Sequence, residues 1–165
     1  MNAQAPSSKG DYGTMIPEEE IQSNIKEMGY ITATPRAIYP SYYKLNDSTV
    51  LKVVVNVNYL LPDPRQPEGY SVNASNIFSA FVPKEKRKPQ AFRPYNPAEL
   101  ANNIIDEDVE FEVLRENFSV YDLSNGMVLS LKPVTGQVKK TSLYDVGGEP
   151  IYIVTVNSVI KIKKQ

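Results

Sequence analysis

Apolar residues recur at two different spacings along the chain, and the change from one to the other divides it. In "PEEEIQSNIKEMG", residues 17–29, Ile21, Ile25 and Met28 follow one another at four and then three positions, the stripe of one helical face. Pro17 suits a first helical position, Glu18, Glu19 and Glu20 sit where the helix dipole favours anions, and Gly29 supplies a stop. Three turns are marginal in water, so this helix needs a surface to dock on. The stretch before it, residues 1–16, is polar with Gly, Ser and Pro, and reads as a flexible tail.

From Tyr30 onward the period is two. "TVLKVVVNVNYLL" sets Val53, Val55, Val57, Tyr59 and Leu61 on one side and Lys52, Asn56 and Asn58 on the other, a half-buried strand. Thirteen residues at about 3.3 Å each would span roughly 40 Å, so a bend or bulge is expected within it. "PDPRQPEG" breaks the chain, and "YSVNASNIFSAFV" reads as a second long strand paired back on the first, the two together covering 49–82. A proline-rich loop follows at 83–97, then a short helix over 97–105 with Asn96 as N-cap and Pro97 at its first position.

Residues 107–165 read as a β-meander of five or more strands. "VEFEVLR" alternates Val109, Phe111 and Val113 against Glu110 and Glu112. Asn125–Gly126 joins "FSVYDL" to "MVLSLK", and Gly147–Gly148 repeats the hairpin signal in "VKKTSLYDVGGEPIYIVTV". The closing "SVIKIKK" alternates apolar residues with lysines, as a charge-guarded sheet edge does. The fold expected is mainly β: an antiparallel β-barrel or two-sheet sandwich, one domain over 17–165, capped by the two short helices.

Composition narrows the chemistry more than the fold. The 165 residues carry 18 Lys and Arg against 19 Asp and Glu, a net charge of −1, so any nucleic acid or anionic surface must be met locally. There is no cysteine and no histidine. Disulfides, thiolate nucleophiles and the commonest transition-metal ligands are thereby excluded, as is the side chain best suited to proton transfer near pH 7. What remains is Asp or Glu with a hard cation, Lys, Ser or Tyr. A protein without enzymatic activity, cofactor or metal is expected, a metal-dependent hydrolase being the one enzymatic reading left open. "MNAQAPSSKGDYG" has no apolar run of a secretory signal and no stretch approaches the roughly 20 apolar residues of a membrane span, so a cytoplasmic or virion location without membrane contact is expected.

Three features carry candidate function. The loop "VPKEKRKPQAFRPYNPAEL" sets Lys84, Lys86, Arg87, Lys88 and Arg93 against Glu85 and Glu99, with Phe92 and Tyr95 interleaved. Cations for phosphates and rings for bases are the pairing of single-strand binders, whereas Pro83, Pro89, Pro94 and Pro97 favour a stiff strut that docks on protein. "DEDVEFEVLRE" gathers Asp106, Glu107, Asp108, Glu110, Glu112 and Glu116 against Arg115. Evenly spaced carboxylates on one strand do not converge as a metal demands, but such a face can meet the basic loop, or the late lysines, across subunits. Those lysines, Lys139, Lys140, Lys161, Lys163 and Lys164, would join the loop in one cationic face only if the last strand lay beside it. Finally, Tyr39, Tyr42 and Tyr43 flank Pro40 in a loop-like segment and are candidate partner contacts, tyrosine being common at interface cores and in β cores alike.

The leading expectation is an interaction subunit of a larger assembly, binding itself as a dimer or higher oligomer and other protein subunits. The alternative is a single-stranded nucleic-acid binder on an OB-like barrel, using the loop's cations with Phe92 and Tyr95.

Overall fold

The computed structural model describes residues 15–88 and 93–165. Nine strands form two antiparallel sheets that do not close on one another, so the fold is an open two-sheet sandwich. The first sheet holds β1 (Ala33–Ala37), β7 (Ser119–Leu123), β8 (Met127–Tyr144) and β5 (Ile104–Asp106), with β9 (Pro150–Lys164) along the other side of β8. The second runs in the order β4 (Tyr70–Phe81), β3 (Val50–Pro62), β2 (Ser41–Leu45), β6 (Phe111–Arg115). Among the described residues two helices, α1 (Glu18–Glu27) and α2 (Pro97–Ala101), lie outside the sheets.

Alternation builds the interior. Leu51, Val53, Val55 and Val57 of β3 face inward and meet Leu129, Leu131 and Val138 of β8 across the gap. Burying one such side chain is worth about 1.5–3 kcal/mol, which makes this seam the main source of stability. The expected irregularity in β3 lies between Val57 and Tyr59, where the register against β4 shifts. It inverts the remainder of the strand: Leu60 is fully buried and Leu61 faces out, opposite to the uninterrupted alternation.

The second half departs from a simple meander. Four strands follow residue 107, not five or more, because two expected pairs fuse. β8 runs unbroken through Pro133 and Gly136. Pro133 lies beyond the end of the β7 pairing, on the parity of Thr135, whose N–H is taken by the Tyr43 hydroxyl and not by β9, so no ladder bond is lost to the missing N–H. Gly136 sits in the bulge between Thr135 and Gln137. β6 leaves the meander to pair with β2 as an edge of the second sheet, and only β7, β8 and β9 are sequential neighbours. Val109 is buried and Phe111 half-buried as expected, but Val113 and Leu114 are both exposed on this outer strand.

The second helix is shorter than expected. Asn96 and Glu99 close a reciprocal capping box, but the helix stops at Ala101, and Ile104–Asp106 pairs with β8. α1 begins on its three glutamates and ends at Gly29, whose positive φ of 94° no side chain favours. Its docking is slight. Ile25 is half-buried, Thr32 donates to Gln22, and Tyr30 meets Tyr59 edge-on at 4.9 Å, while Ile21 and Met28 stay exposed.

Candidate functional site

β4 and β9 are edge strands of different sheets, and they lie on the same flank of the sandwich. Between them the two layers part into a trough lined by Leu51, Phe78 and Ala80 on one wall and Pro150, Tyr152 and Val154 on the other. Asp145 and Ile151 close its end and also line a second groove with Arg93, Pro94, Tyr95 and Val146. The two depressions therefore adjoin, and the basic loop forms the far lip. Phe78 at the trough and Val146 at the turn are 42% and 68% exposed, and Ile77 and Phe81, opposite Val54 and Val50, expose theirs on the outer face of β4.

The loop is fastened where it crosses this flank. Val82 is buried, Lys84–Lys86 form one 3-10 turn, and the Lys88 N–H donates to the Gly148 carbonyl at 3.0 Å. Gly148 has φ of 82°, and a Cβ built there would collide with the Lys88 carbonyl oxygen, so the β8–β9 turn fits the loop only as glycine. Asp145 receives the N–H groups of Gly147 and Glu149 and shapes the turn. The Asp145 carboxylate beside Glu149 raises that residue's carboxyl above its ordinary range, burial adds to this, and Arg87 opposes it.

The predicted loop residues divide into two groups. Lys84, Lys86, Arg87 and Lys88 are exposed, and none joins an ion pair among the described residues. Arg93 and Tyr95 are already engaged. Arg93 grips Glu99 through two bonds of 2.9 and 2.6 Å and lies 5.0 Å over the Tyr95 ring, covering one stacking face. The Arg93 hydrogen bonds, with one from the Asn96 N–H, hold the Glu99 carboxyl down at about 2. Phe92 lies outside the described residues.

The late lysines do not join the loop. Lys161, Lys163 and Lys164 lie at the end of β9 remote from the β8–β9 turn, at least eleven residues along the strand from Pro150, about 36 Å or more. Lys161 instead shares the Phe118 ring with Lys132, at 4.7 and 5.1 Å. Lys139 pairs with Glu107 at 3.5 Å and Lys140 with Asp47 at 3.1 Å.

The tyrosines and the acidic block also resolve into separate roles. "SYYKL" is strand β2, not loop, and Ser41, Tyr43 and Leu45 point inward from it. Tyr43 is wholly buried and presents nothing at the surface: its hydroxyl donates to Glu116 at 2.6 Å and accepts the Thr135 N–H at 3.1 Å. Burial, and then the Glu116 bond, raise its pKa. Tyr42 lies under the Arg115 guanidinium at 5.1 Å, and Tyr39 is 47% exposed. Of the acidic block, Glu116 is used by Tyr43, Glu107 by Lys139, and Asp106 accepts the Asp108 N–H. Among the described residues no three acidic side chains gather as a metal would need.

Comparison with protein-family models, with curated proteins and with solved structures returned no match.

Sequence reasoning missed the trough and the β4 edge. The signal was present: Tyr70–Phe81 contains no Asp, Glu, Lys, Arg or Pro over twelve residues. Every other edge among the described strands carries a guard, in Pro35 and Arg36 of β1, Asp106 of β5, Glu112 and Arg115 of β6, and Lys161, Lys163 and Lys164 of β9. Reading this needs to be told which strands are edges. No helix among the described residues is long and apolar enough to cross a membrane.

Proposed function

We propose that this chain is a non-enzymatic subunit of a larger intracellular or viral assembly, held to its partners by protein–protein contacts on the open flank. The observation that carries the reading is the exposed apolar surface at this edge: Phe78 at the trough, Ile77 and Phe81 on the opposite face of β4, and Val146 at the β8–β9 turn. Interface cores are apolar and aromatic with a polar rim, and here the rim is the exposed run Lys84–Lys88. The clamp between Lys88 and Gly148 fixes the loop beside the apolar floor, which lowers the ordering cost of binding. Chemistry finds less support, since there is no imidazole or thiol and the acidic block is spent in part on internal partners.

The test is affinity isolation of the full chain from its own cells beside a Phe78→Glu, Phe81→Glu double variant. The reading expects a stoichiometric partner that the variant loses while retaining a wild-type circular dichroism spectrum. Equal recovery with both chains refutes it.

A second reading, single-stranded nucleic acid, is favoured by one observation: four exposed cations, Lys84, Lys86, Arg87 and Lys88, within five residues. Counterion release would then make binding fall steeply with salt. Anisotropy with labelled oligonucleotides at low salt separates the two, and no binding there removes this reading.

A further inference from the structure

We infer that β4 is a homodimerisation edge: two copies join Asn73–Ser79 antiparallel about a two-fold axis at Asn76, merging their four-stranded sheets into one of eight strands. This rests on the reading of the open flank as a protein contact surface and identifies one partner there as a second copy of the chain.

Backbone comes first. β4 pairs only with β3 among the described strands, so its outer row of N–H and C=O groups offers a ladder to an incoming strand. All seven residues from Asn73 to Ser79 are exposed, on both faces, and Asn76 is their midpoint.

Charge then narrows the occupant. A two-fold axis at Asn76 sets that residue against its own copy, so a charge there would meet a like charge. A strand built to receive a foreign partner has no need to be neutral. One that pairs with itself must be uncharged at its axis, and Tyr70–Phe81 carries no charge at any position, although the chain as a whole is 22% charged.

Size points the same way. With Asn76 opposite its own copy, Ala74 faces the partner's Phe78 and Ser75 faces the partner's Ile77. Asn73 then faces the partner's Ser79, Val72 the partner's Ala80, and Ser71 the partner's Phe81. Ile77, Phe78 and Phe81 each land on a small residue. Opposed residues share a face of the sheet, so the exposed rings of Phe78 and Phe81 gain cover on their own sides. Moving the axis by one residue, to Ser75, puts Phe78 opposite Val72 and Asn76 opposite Ala74, and the large-on-small pattern is lost.

The chain's lack of cysteine makes the test clean. Opposed Cα atoms in an antiparallel pair are about 4.5–5.5 Å apart, within the roughly 4.4–6.8 Å a disulfide spans. Asn76→Cys therefore introduces the only thiol and sets it against itself. Mild oxidation of the full chain is expected to convert most of it to a covalent dimer, whereas Val146→Cys, on the same flank but off the axis, stays uncoupled. Light scattering on the unmodified chain is expected to give twice the 18.5 kDa of one chain. Asn76→Lys is expected to halve that mass with an unchanged circular dichroism spectrum, and if it does not fold, the Asn76→Cys result decides. A monomer at every concentration overturns the proposal, as does a dimer that neither cross-links at position 76 nor responds to Asn76→Lys, or equal cross-linking of the two cysteine variants. Each of these leaves the broader reading standing if the Phe78→Glu, Phe81→Glu variant still loses a different protein, so the two failures are told apart.

Discussion

Replacing Asp47 with asparagine removes one charge from the seam where the two sheets are tied. Asp47 sits in the β2–β3 turn of the second sheet and is only 11% exposed. It accepts the Tyr152 hydroxyl at 2.5 Å and the Lys140 ammonium at 3.1 Å, both from the first sheet, and the Thr49 N–H at 3.0 Å. Burial alone pushes its carboxyl up, but the bonds from Tyr152, Thr49 and Lys140 outweigh it and hold the pKa at about 2, against an ordinary 3.8. Each pKa unit is worth about 1.4 kcal/mol, so the ionised form contributes about 2 kcal/mol to folding. Because the folded value is depressed, that contribution is complete above pH 4 and is lost as pH falls through the folded value. Urea unfolding of wild type and Asp47→Asn from pH 6 to pH 2 measures it. The gap between the two proteins is expected to be about 2 kcal/mol at pH 6, to narrow by about 1 kcal/mol at pH 3, and nearly to close at pH 2. Two stability curves that fall in parallel over this range would refute the reasoning, since the variant lacks only this titrating carboxylate.

Other substitutions probe the loop clamp and the interior. Gly126→Ala and Gly148→Ala both place a side chain at positive φ, at an expected cost of about 1–2 kcal/mol each, but only the second meets the Lys88 carbonyl. Gly148→Ala is therefore expected to be the less stable in urea and to speed tryptic cleavage after Lys84, Lys86 and Arg87, while Gly126→Ala leaves that cleavage unchanged; equal cleavage would count against the clamp. Thr135 Oγ1 is buried without a hydrogen-bond partner among the described residues. Thr135→Val keeps the β-branched shape and sheds that hydroxyl, so its urea midpoint is expected to equal or exceed wild type, by up to about 1 kcal/mol; a loss beyond that contradicts the assignment.

Local chemistry was legible and long-range pairing was not. The turns at Asn125–Gly126 and Gly147–Gly148 lie where their sequences place them, as do the Asn96 cap, the lysine-guarded end of β9 and a bulge in β3. Each depends on residues within a few positions of one another. The passage of β8 through Pro133 depends instead on where β7 stops, and the transfer of β6 to the other sheet depends on β2, some seventy residues earlier. Tyr43 is instructive, because Ser41, Tyr43 and Leu45 do alternate inward, yet the adjacent Pro40 and the run of three tyrosines disguise a strand as a loop. At the candidate site, the exposure of Lys84–Lys88 was readable, whereas the capture of Arg93 by Glu99, six residues on, was not.

Hydrogen exchange along Tyr70–Phe81 addresses the central claim most directly, because covering the β4 edge must engage its outward backbone N–H groups. Comparing the dilute chain with the assembled one, the account predicts that amides within Asn73–Ser79 slow sharply on assembly, together with those flanking Val146 at the turn. Unchanged exchange along β4, with new protection confined to another surface such as β6 or α1, would contradict it.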